Sequence, residues 1–227
     1  MRYKNIIWDY NGTIIDDAQL AVDAENVVLS SYGLPEIDID FYMRECEMPI
    51  INFYRKIFSD FDSFDFSEIA KRFLHNYDKL FPTAKVFPEV TDMISKLSCS
   101  GIRQGVISGF ESGRLRDSLK GFGLDGYFEF MSGSDDIDCG DKSDRAVAVC
   151  RKNGFSPSET LFVGDMYHDY ETAQKVGADC VLIAKGHQGA EVLRKYGVTV
   201  LNSAGDLSEY FKETLIKSSA EVAPSDF

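Results

Sequence analysis

The chain has 227 residues, of which 44% are hydrophobic and 27% are charged. This length suits one sizeable core with a smaller insertion, or two modest domains, and the composition excludes wholesale disorder. The formal net charge of −13 argues against nucleic acid and anionic membranes as partners, because both bind basic surfaces.

The N-terminal segment and the cysteines indicate where the protein resides. No apolar stretch approaches the roughly 20 residues that a membrane-spanning helix needs. Residues 1–5 lead into a strand-length apolar run without the features of a signal peptide, so we expect a cytoplasmic protein. An odd number of cysteines with no C-x-x-C pair favours reduced thiols over a disulfide framework or a zinc site. These cysteines are Cys46, Cys99, Cys139, Cys150 and Cys180.

Six segments have the composition of buried strands. In chain order they are Asn5–Asp9, Gln104–Ser108, Tyr127–Met131, Thr160–Gly164, Asp179–Ala184 and Val198–Leu201. Helical spacing of apolar residues separates them, at Pro88–Leu97, Ser112–Phe122, Lys142–Lys152 and Asp169–Val176. This alternation predicts an α/β fold: a Rossmann-like core of three layers, in which helices cover both faces of a parallel sheet.

The segment 16–85 interrupts this alternation, since it contains no convincing strand. Three stretches within it have helical spacing: Leu20–Ser31, Phe41–Phe58 and Ser67–Phe81. We predict a helical insertion at 16–85 in a core formed by 1–15 and 86–227. Its many aromatic residues are interpreted as the packing between these helices.

Polar residues follow several of the predicted strands. Asp9 ends the first strand, Ser108 ends the second, and Asp165 follows the fourth, while Lys142 opens a helix. Each residue alone fits a turn or a helix terminus. Ligands of open parallel sheets bind where the carboxyl ends of the strands meet, so together the four residues predict a binding site there.

This ordered set resembles the haloacid dehalogenase superfamily. That superfamily has a first motif D-x-D-G-T, then a hydrophobic strand ending in Ser or Thr, a lysine, and G-D-x-x-x-D. The matching positions here are Asp9–Thr13, Ser108, Lys142 and Gly164–Asp169, so the resemblance covers nearly the whole chain. Within the superfamily, Val163–Asp169 and Lys185–Gln188 are similar to the phosphoglycolate-phosphatase-like branch. The resemblance implies that the helical insertion is a cap over the site.

The resemblance also implies a Mg²⁺-dependent reaction. Asp9 would be the nucleophile and would form an aspartyl-phosphate, a case of covalent catalysis. Asp9, the backbone carbonyl of Asn11 and Asp165 would be ligands of Mg²⁺, and Asp169 would hold the metal or its waters. The metal would let two anions approach each other.

Substrate binding follows from the same resemblance. Ser108 and Gly109 would contact the phosphoryl group, and Lys142 would supply positive charge to it and hold Asp9. On the cap, Arg44 and Arg55 are candidates for a substrate carboxylate or second phosphate. We expect a small phosphorylated metabolite, with phosphoglycolate as the reference, and a monomer or a homodimer.

Asn11 departs from the pattern of the phosphatases, which have an aspartate as acid and base at this position. A neutral amide can serve as neither an acid nor a base, so the expected loss in rate is on the order of 10² to 10⁴. A substrate with a good leaving group, or another acid such as His168, would compensate. If only the acid is missing, Asn11→Asp should raise the hydrolysis of alkyl phosphates.

Two other interpretations of Asn11 stay open. One is a related chemistry, as dehalogenase or phosphonatase. A dehalogenase needs no metal, and a phosphonatase uses a cap lysine, for which Lys56, Lys71 and Lys79 are candidates. The other interpretation is a catalytically weak protein that binds phosphate ligands for regulation.

Overall fold

The computed structural model describes residues 2–134 and 142–220. The strands of these residues are β1 (Asn5–Trp8), β2 (Ile15–Asp16), β3 (Lys85–Val86), β4 (Arg103–Glu111), β5 (Phe130–Ser134), β6 (Thr160–Gly164), β7 (Asp179–Ile183) and β8 (Thr199–Leu201). The helices are α1 (Ala18–Ser31), α2 (Ile39–Glu45), α3 (Ile51–Ile57), α4 (Phe66–Leu80), α5 (Pro88–Cys99), α6 (Ser112–Gly121), α7 (Lys142–Asn153), α8 (Tyr167–Val176), α9 (Ala190–Leu193) and α10 (Leu207–Ala220).

Strand β1 lies in the middle of a six-stranded parallel sheet with the order β5-β4-β1-β6-β7-β8. Trp8 of β1 is aligned with Val106 of β4 and with Val163 of β6. The residues that follow these positions, Asp9 and Asp165 among them, therefore meet at the carboxyl edge, the side of the sheet at which its strands end.

Helices cover both faces of this sheet. Ile6 and Trp8 of β1 face α5, α6 and α10, whereas Ile7 faces α7 and α8, because side chains alternate along a strand. The partners on these helices are Val90, Leu115 and Phe211 on the first face and Ala146 and Ala173 on the second. The predicted Rossmann-like α/β core with three layers is confirmed.

Helices α1 to α4 lie within the segment predicted to be a cap, and the division of the chain at 16 and 85 stays a prediction. The apolar pattern does not predict β2 and β3, which pair antiparallel where the chain leaves the core and where it returns. Ile15 pairs with Val86, and Asp16 with Lys85. Two-residue strands are too short for any periodicity to reveal them.

Two predicted elements differ from the structure. The single helix expected over Phe41–Phe58 is wrong: α2 ends at Glu45 and α3 begins at Ile51. Pro49 lies between them, and proline lacks the N–H that a helix interior requires. Strand β5 lies three residues later than expected, because Asp125–Tyr127 forms a short 3₁₀ helix.

The cysteines and the helices were the basis of two expectations from the sequence. Cys46, Cys99, Cys150 and Cys180 are free, and Cys139 lies outside the described residues. Within the described ranges, no helix has both the length and the apolar character that crossing a membrane requires.

Candidate active site

Asp9 and Lys142 form the centre of a buried cluster at the carboxyl edge. The Lys142 ammonium donates to Asp9 Oδ1 at 2.7 Å and also to Asp169 Oδ1. Asp9 is 9% exposed and Lys142 is 7% exposed. Burial opposes the charge of Lys142, but Asp169 and Asp9 raise its pKa above the usual value. Lys142 is therefore a fixed cation that orients the Asp9 carboxylate.

Three carboxylates converge at this point. One oxygen each of Asp9, Asp165 and Asp169 lies within 4.8 Å of the other two. Burial and repulsion from Asp169 and Asp165 raise the pKa of Asp9 well above its usual value, against the charge of Lys142. Burial and repulsion from Asp169 also raise the pKa of Asp165, to about 7. Such crowded acids are stabilised by a bound cation.

Glycines allow the chain to approach Asp165 closely. A Cβ at Gly12 would lie 2.3 Å from Asp165 Oδ2, and a Cβ at Gly186 would lie 2.2 Å from the same oxygen. Gly12 also has φ +73°, a conformation that other residues rarely adopt. The Asp165 side chain is held in addition by hydrogen bonds from Thr13 Oγ1, at 2.9 Å, and from the His187 backbone N–H, at 2.6 Å.

The donors fit a hard divalent cation. Mg²⁺ prefers carboxylate and carbonyl oxygens and keeps some of its waters, and the cluster of Asp9, Asp165 and Asp169 consists of carboxylates alone. The Asp169 side chain also accepts hydrogen bonds from the backbone N–H groups of Asp165 and Met166, which fix the loop after β6. Such contacts orient metal ligands.

Ser108 and Gly109 lie on the neighbouring strand β4. The Ser108 oxygen accepts a hydrogen bond from the Phe110 N–H at 3.0 Å, so its own O–H remains a donor. The pairing of β4 with β5 shifts register between Ile107 and Glu111, around these residues. Such irregularities are common beside active sites, where they turn a side chain toward the ligand.

Asn11 contacts a carboxylate that the sequence analysis did not single out. The Asn11 amide nitrogen donates to Asp17 Oδ2 at 2.8 Å and to the Tyr77 hydroxyl at 3.1 Å. Tyr77 of α4 also donates to Asp17 Oδ2, and the Gly12 N–H donates to Asp17 Oδ1 at 2.7 Å. Asp17 is only 1% exposed.

His187 is the second site residue that the sequence analysis did not assign, although it lies in the segment Lys185–Gln188 noted for its resemblance. Its Nε2 lies 3.4 Å from Asp17 Oδ1, and its Nδ1 lies 2.9 Å from the Tyr42 hydroxyl of α2. Burial alone would lower the pKa of His187, but Asp17 raises it to about 9. Burial likewise opposes ionisation of Asp17, yet His187, Tyr77 and Asn11 lower its pKa.

A cavity of about 190 Å³ lies between the helical segment and the core, and only some of the other predicted residues line it. Arg44 and His168 line this cavity, together with Gln188. Arg44 is paired with Glu45, and His168 Nδ1 lies 3.5 Å from Glu171. Arg55 does not line the cavity; its guanidinium lies over the Phe61 ring, 5.8 Å from its centroid.

The three lysines that are candidates for phosphonatase chemistry lie on helices of the helical segment. Lys56 lines the same cavity but is paired with Glu45 and Glu47, at 3.5 and 3.1 Å. Lys71 and Lys79 are exposed on α4. Lys142 is the lysine that contacts the described carboxylate cluster.

Comparisons with known proteins agree with this geometry. The model of the haloacid dehalogenase-like hydrolase family matches residues 6–183. The chain is 24% identical over 210 residues to the tyrosine-protein kinase PtkA of Mycobacterium tuberculosis, covering 90% of this chain and 70% of that protein. It is 22% identical over 189 residues to a phosphoglycolate phosphatase of Synechococcus elongatus, covering 83% and 87% of the two chains.

A solved structure has the same fold. It is a haloacid dehalogenase-like hydrolase, SP0104, from Streptococcus pneumoniae, with a TM-score of 0.76 at 20% identity over 92% of this chain and 99% of that one. The family match spans well over half of the sequence and includes both the first motif and Gly164–Asp169. The chain belongs to the haloacid dehalogenase-like hydrolase family.

Proposed function

We propose that this protein is a Mg²⁺-dependent phosphatase of a small phosphorylated metabolite, with phosphoglycolate as the reference substrate. The observation that carries the proposal is the position of Asp9, which Lys142 holds at 2.7 Å beside two further carboxylates. A nucleophile, a fixed cation and a set of hard oxygen donors are what phosphoryl transfer requires. The phosphoglycolate phosphatases among the relatives support the choice of substrate.

Each residue of the site has a separate role in the proposed reaction. Asp9 attacks phosphorus and forms an aspartyl-phosphate while the bond to the leaving oxygen breaks; water then attacks phosphorus and releases phosphate. Lys142 and the Ser108 hydroxyl bind phosphoryl oxygens. Asp9, Asp165 and the backbone carbonyl of Asn11 would hold Mg²⁺, and Asp169 would hold the metal or its waters. The bound metal would supply positive charge for the phosphoryl oxygens.

Asn11 determines which step is slow. Because an amide neither gives nor takes a proton, attack by water on the aspartyl-phosphate lacks a base at this position. A leaving group of low pKa needs no acid, so the first step is less affected. We therefore expect an acyl phosphate or p-nitrophenyl phosphate to react quickly with Asp9 and the phosphoenzyme to accumulate.

Related chemistries are less favoured by the described residues. A dehalogenase would not need the acidic cluster, and the cap lysine of a phosphonatase has no free candidate at the cavity, since Lys56 is paired with two glutamates. The binding or regulatory alternative is favoured by Asn11 alone.

The proposal is tested by incubating the protein and Asp9→Asn with Mg²⁺ and a panel of phosphoglycolate, p-nitrophenyl phosphate and ATP. ATP is included because one relative is a kinase. We expect a burst of p-nitrophenol followed by slow turnover, both abolished in the variant. Tight binding of beryllium fluoride without turnover of any compound would support the binding protein instead.

A further inference from the structure

Asp17 is a buried carboxylate at the candidate active site, only 1% exposed. Its two oxygens have four neighbouring donors: the Asn11 amide, the Gly12 N–H, the Tyr77 hydroxyl and His187 Nε2. A buried carboxylate is tolerated when donors surround it in this way. One of these donors, Asn11, is the residue that departs from the first motif of the family.

We propose that Asp17 is the positioning residue that makes Asn11 functional, so that positions 11 and 17 form a complementary pair of amide and carboxylate. The inference rests on the proposed phosphatase function for its kinetic consequences. Its structural content, the mutual dependence of the two side chains, does not depend on any activity.

The hydrogen bonds of the Asn11 side-chain amide support this pairing. An asparagine side chain has an NH₂ group that donates and one oxygen that accepts. The NH₂ group of Asn11 is used by Asp17 and Tyr77, so the carbonyl oxygen is the end of the amide left for the substrate or its water. Asp17 thus selects one of the two orientations of the amide.

An aspartate at position 11 would not fit beside Asp17. An oxygen of the new carboxylate would replace the Asn11 nitrogen that now lies 2.8 Å from Asp17 Oδ2. Two ionised carboxylates at this distance repel each other in a buried site, because neither has a proton to donate. The structure therefore changes the expectation from the sequence. Asn11→Asp alone should lower hydrolysis rather than raise it, because repulsion from Asp17 displaces the side chain.

The cap contributes to the same pair. Tyr77 of α4 contacts both Asn11 and Asp17, and Tyr42 of α2 contacts His187, which faces Asp17. Asp17 itself lies between β2 and α1, where the chain enters the helical segment. The orientation of Asn11 is consequently fixed by residues of both parts of the molecule.

The test is a double-substitution cycle of Asn11→Asp, Asp17→Asn and the exchange of both residues. Each single change leaves a mismatched pair, two acids or two amides, and should lower kcat for p-nitrophenyl phosphate at least about tenfold with KM within threefold. The double variant restores one acid and one amide and places the acid at position 11, where the wild type lacks a base, so its kcat should equal or exceed that of the wild type.

Urea unfolding of the metal-free proteins gives an independent measurement. Asn11→Asp should lower the unfolding midpoint, and the exchange should recover most of that loss. Asp23→Asn is the matched control, since Asp23 is an exposed acid on α1 that accepts from Gln19. It should change neither measurement.

Additive effects of the two changes on the midpoint would overturn the inference. So would a higher kcat of Asn11→Asp without loss of stability. If the wild type hydrolyses nothing, the proposed function fails, and the unfolding cycle still decides whether Asn11 and Asp17 depend on each other.

Discussion

The carboxyl edge of the sheet and the interior of the helical segment each contain a buried acid, and the pKa values of the two acids shift in opposite directions. Asp17, at the edge, has four donors around it and its pKa is lowered. Glu25, eight residues later on α1, accepts from the Tyr54 hydroxyl at 2.9 Å, and its Oε1 has no partner among the described residues. Burial raises the pKa of Glu25 to about 7.

This difference indicates that the hydrogen-bond donors around a buried acid, rather than burial alone, set the direction in which its pKa shifts. At the carboxyl edge, the donors around Asp17 lower its pKa, whereas burial and mutual repulsion raise the pKa of Asp9 and of Asp165. In the helical segment, Glu25 accepts a hydrogen bond from the Tyr54 hydroxyl, and burial raises its pKa to about 7.

The contrast is tested most strongly by removing a charge from the carboxyl edge with Asp165→Asn. Because Asp165 belongs to the three-carboxylate cluster, Mg²⁺ affinity and turnover should fall by more than about 100-fold, the upper end of losses seen for outer partners of metal ligands. Calorimetric titration with Mg²⁺ and p-nitrophenyl phosphate hydrolysis measure the two effects.

Asp179→Asn is the matched control for that charge change. Asp179 begins β7, away from the carboxyl edge, where Arg2 and Tyr3 contact it. Its substitution should leave Mg²⁺ affinity unchanged. Tight Mg²⁺ binding by Asp165→Asn would mean that the cluster is not the metal site.

The carboxyl edge was also the part of the molecule that the sequence predicted well. Parallel strands buried on both faces read as short apolar runs, and the polar residues that follow them must meet at one edge. Asp9, Lys142 and Asp165 could therefore be placed together without coordinates. Ser108 followed from the same argument.

Asp17, His187 and Tyr77 could not be found in this way. They belong to a helix entrance, a loop after β7 and a cap helix, and they meet only because the cap packs on the core. No periodicity encodes such a contact. The same limit explains the helical segment, where Pro49 divides a helix that apolar spacing alone made continuous.

Removing the acid from the helical segment should stabilise the protein. The folded state raises the Glu25 pKa from 4.5 to about 7, so between these values the unfolded chain is ionised while the folded chain stays protonated. The wild type should therefore lose stability as pH rises from about 4.5 to about 7. Glu25→Gln should remove that loss and add about 3 kcal/mol above pH 7.

Urea unfolding of wild type and Glu25→Gln at several pH values measures this difference. Tyr54→Phe is the control: it removes the hydroxyl that donates to Glu25, so the loss of stability should continue to a higher pH. Parallel curves for wild type and Glu25→Gln would show that Glu25 is already ionised in the fold, and the contrast with Asp17 would fail.

The smallest effect concerns substrate selection by the helical segment. Arg44 lines the cavity and its side chain is 53% exposed, so its contribution to binding a substrate carboxylate resembles that of an exposed ion pair, at most about 1 kcal/mol. Arg44→Ala should raise KM for phosphoglycolate about three- to fivefold and leave kcat unchanged. With p-nitrophenyl phosphate, which has no carboxylate, KM should stay the same.

Arg55→Ala is the matched control for this change, because Arg55 is an exposed arginine of the next helix that lies over Phe61 and not at the cavity. Its KM for both compounds should equal that of the wild type. Equal changes in the two variants would mean that loss of general positive charge, and not a contact at the cavity, weakens binding. The helical segment would then act only as a cover for the acids of the carboxyl edge.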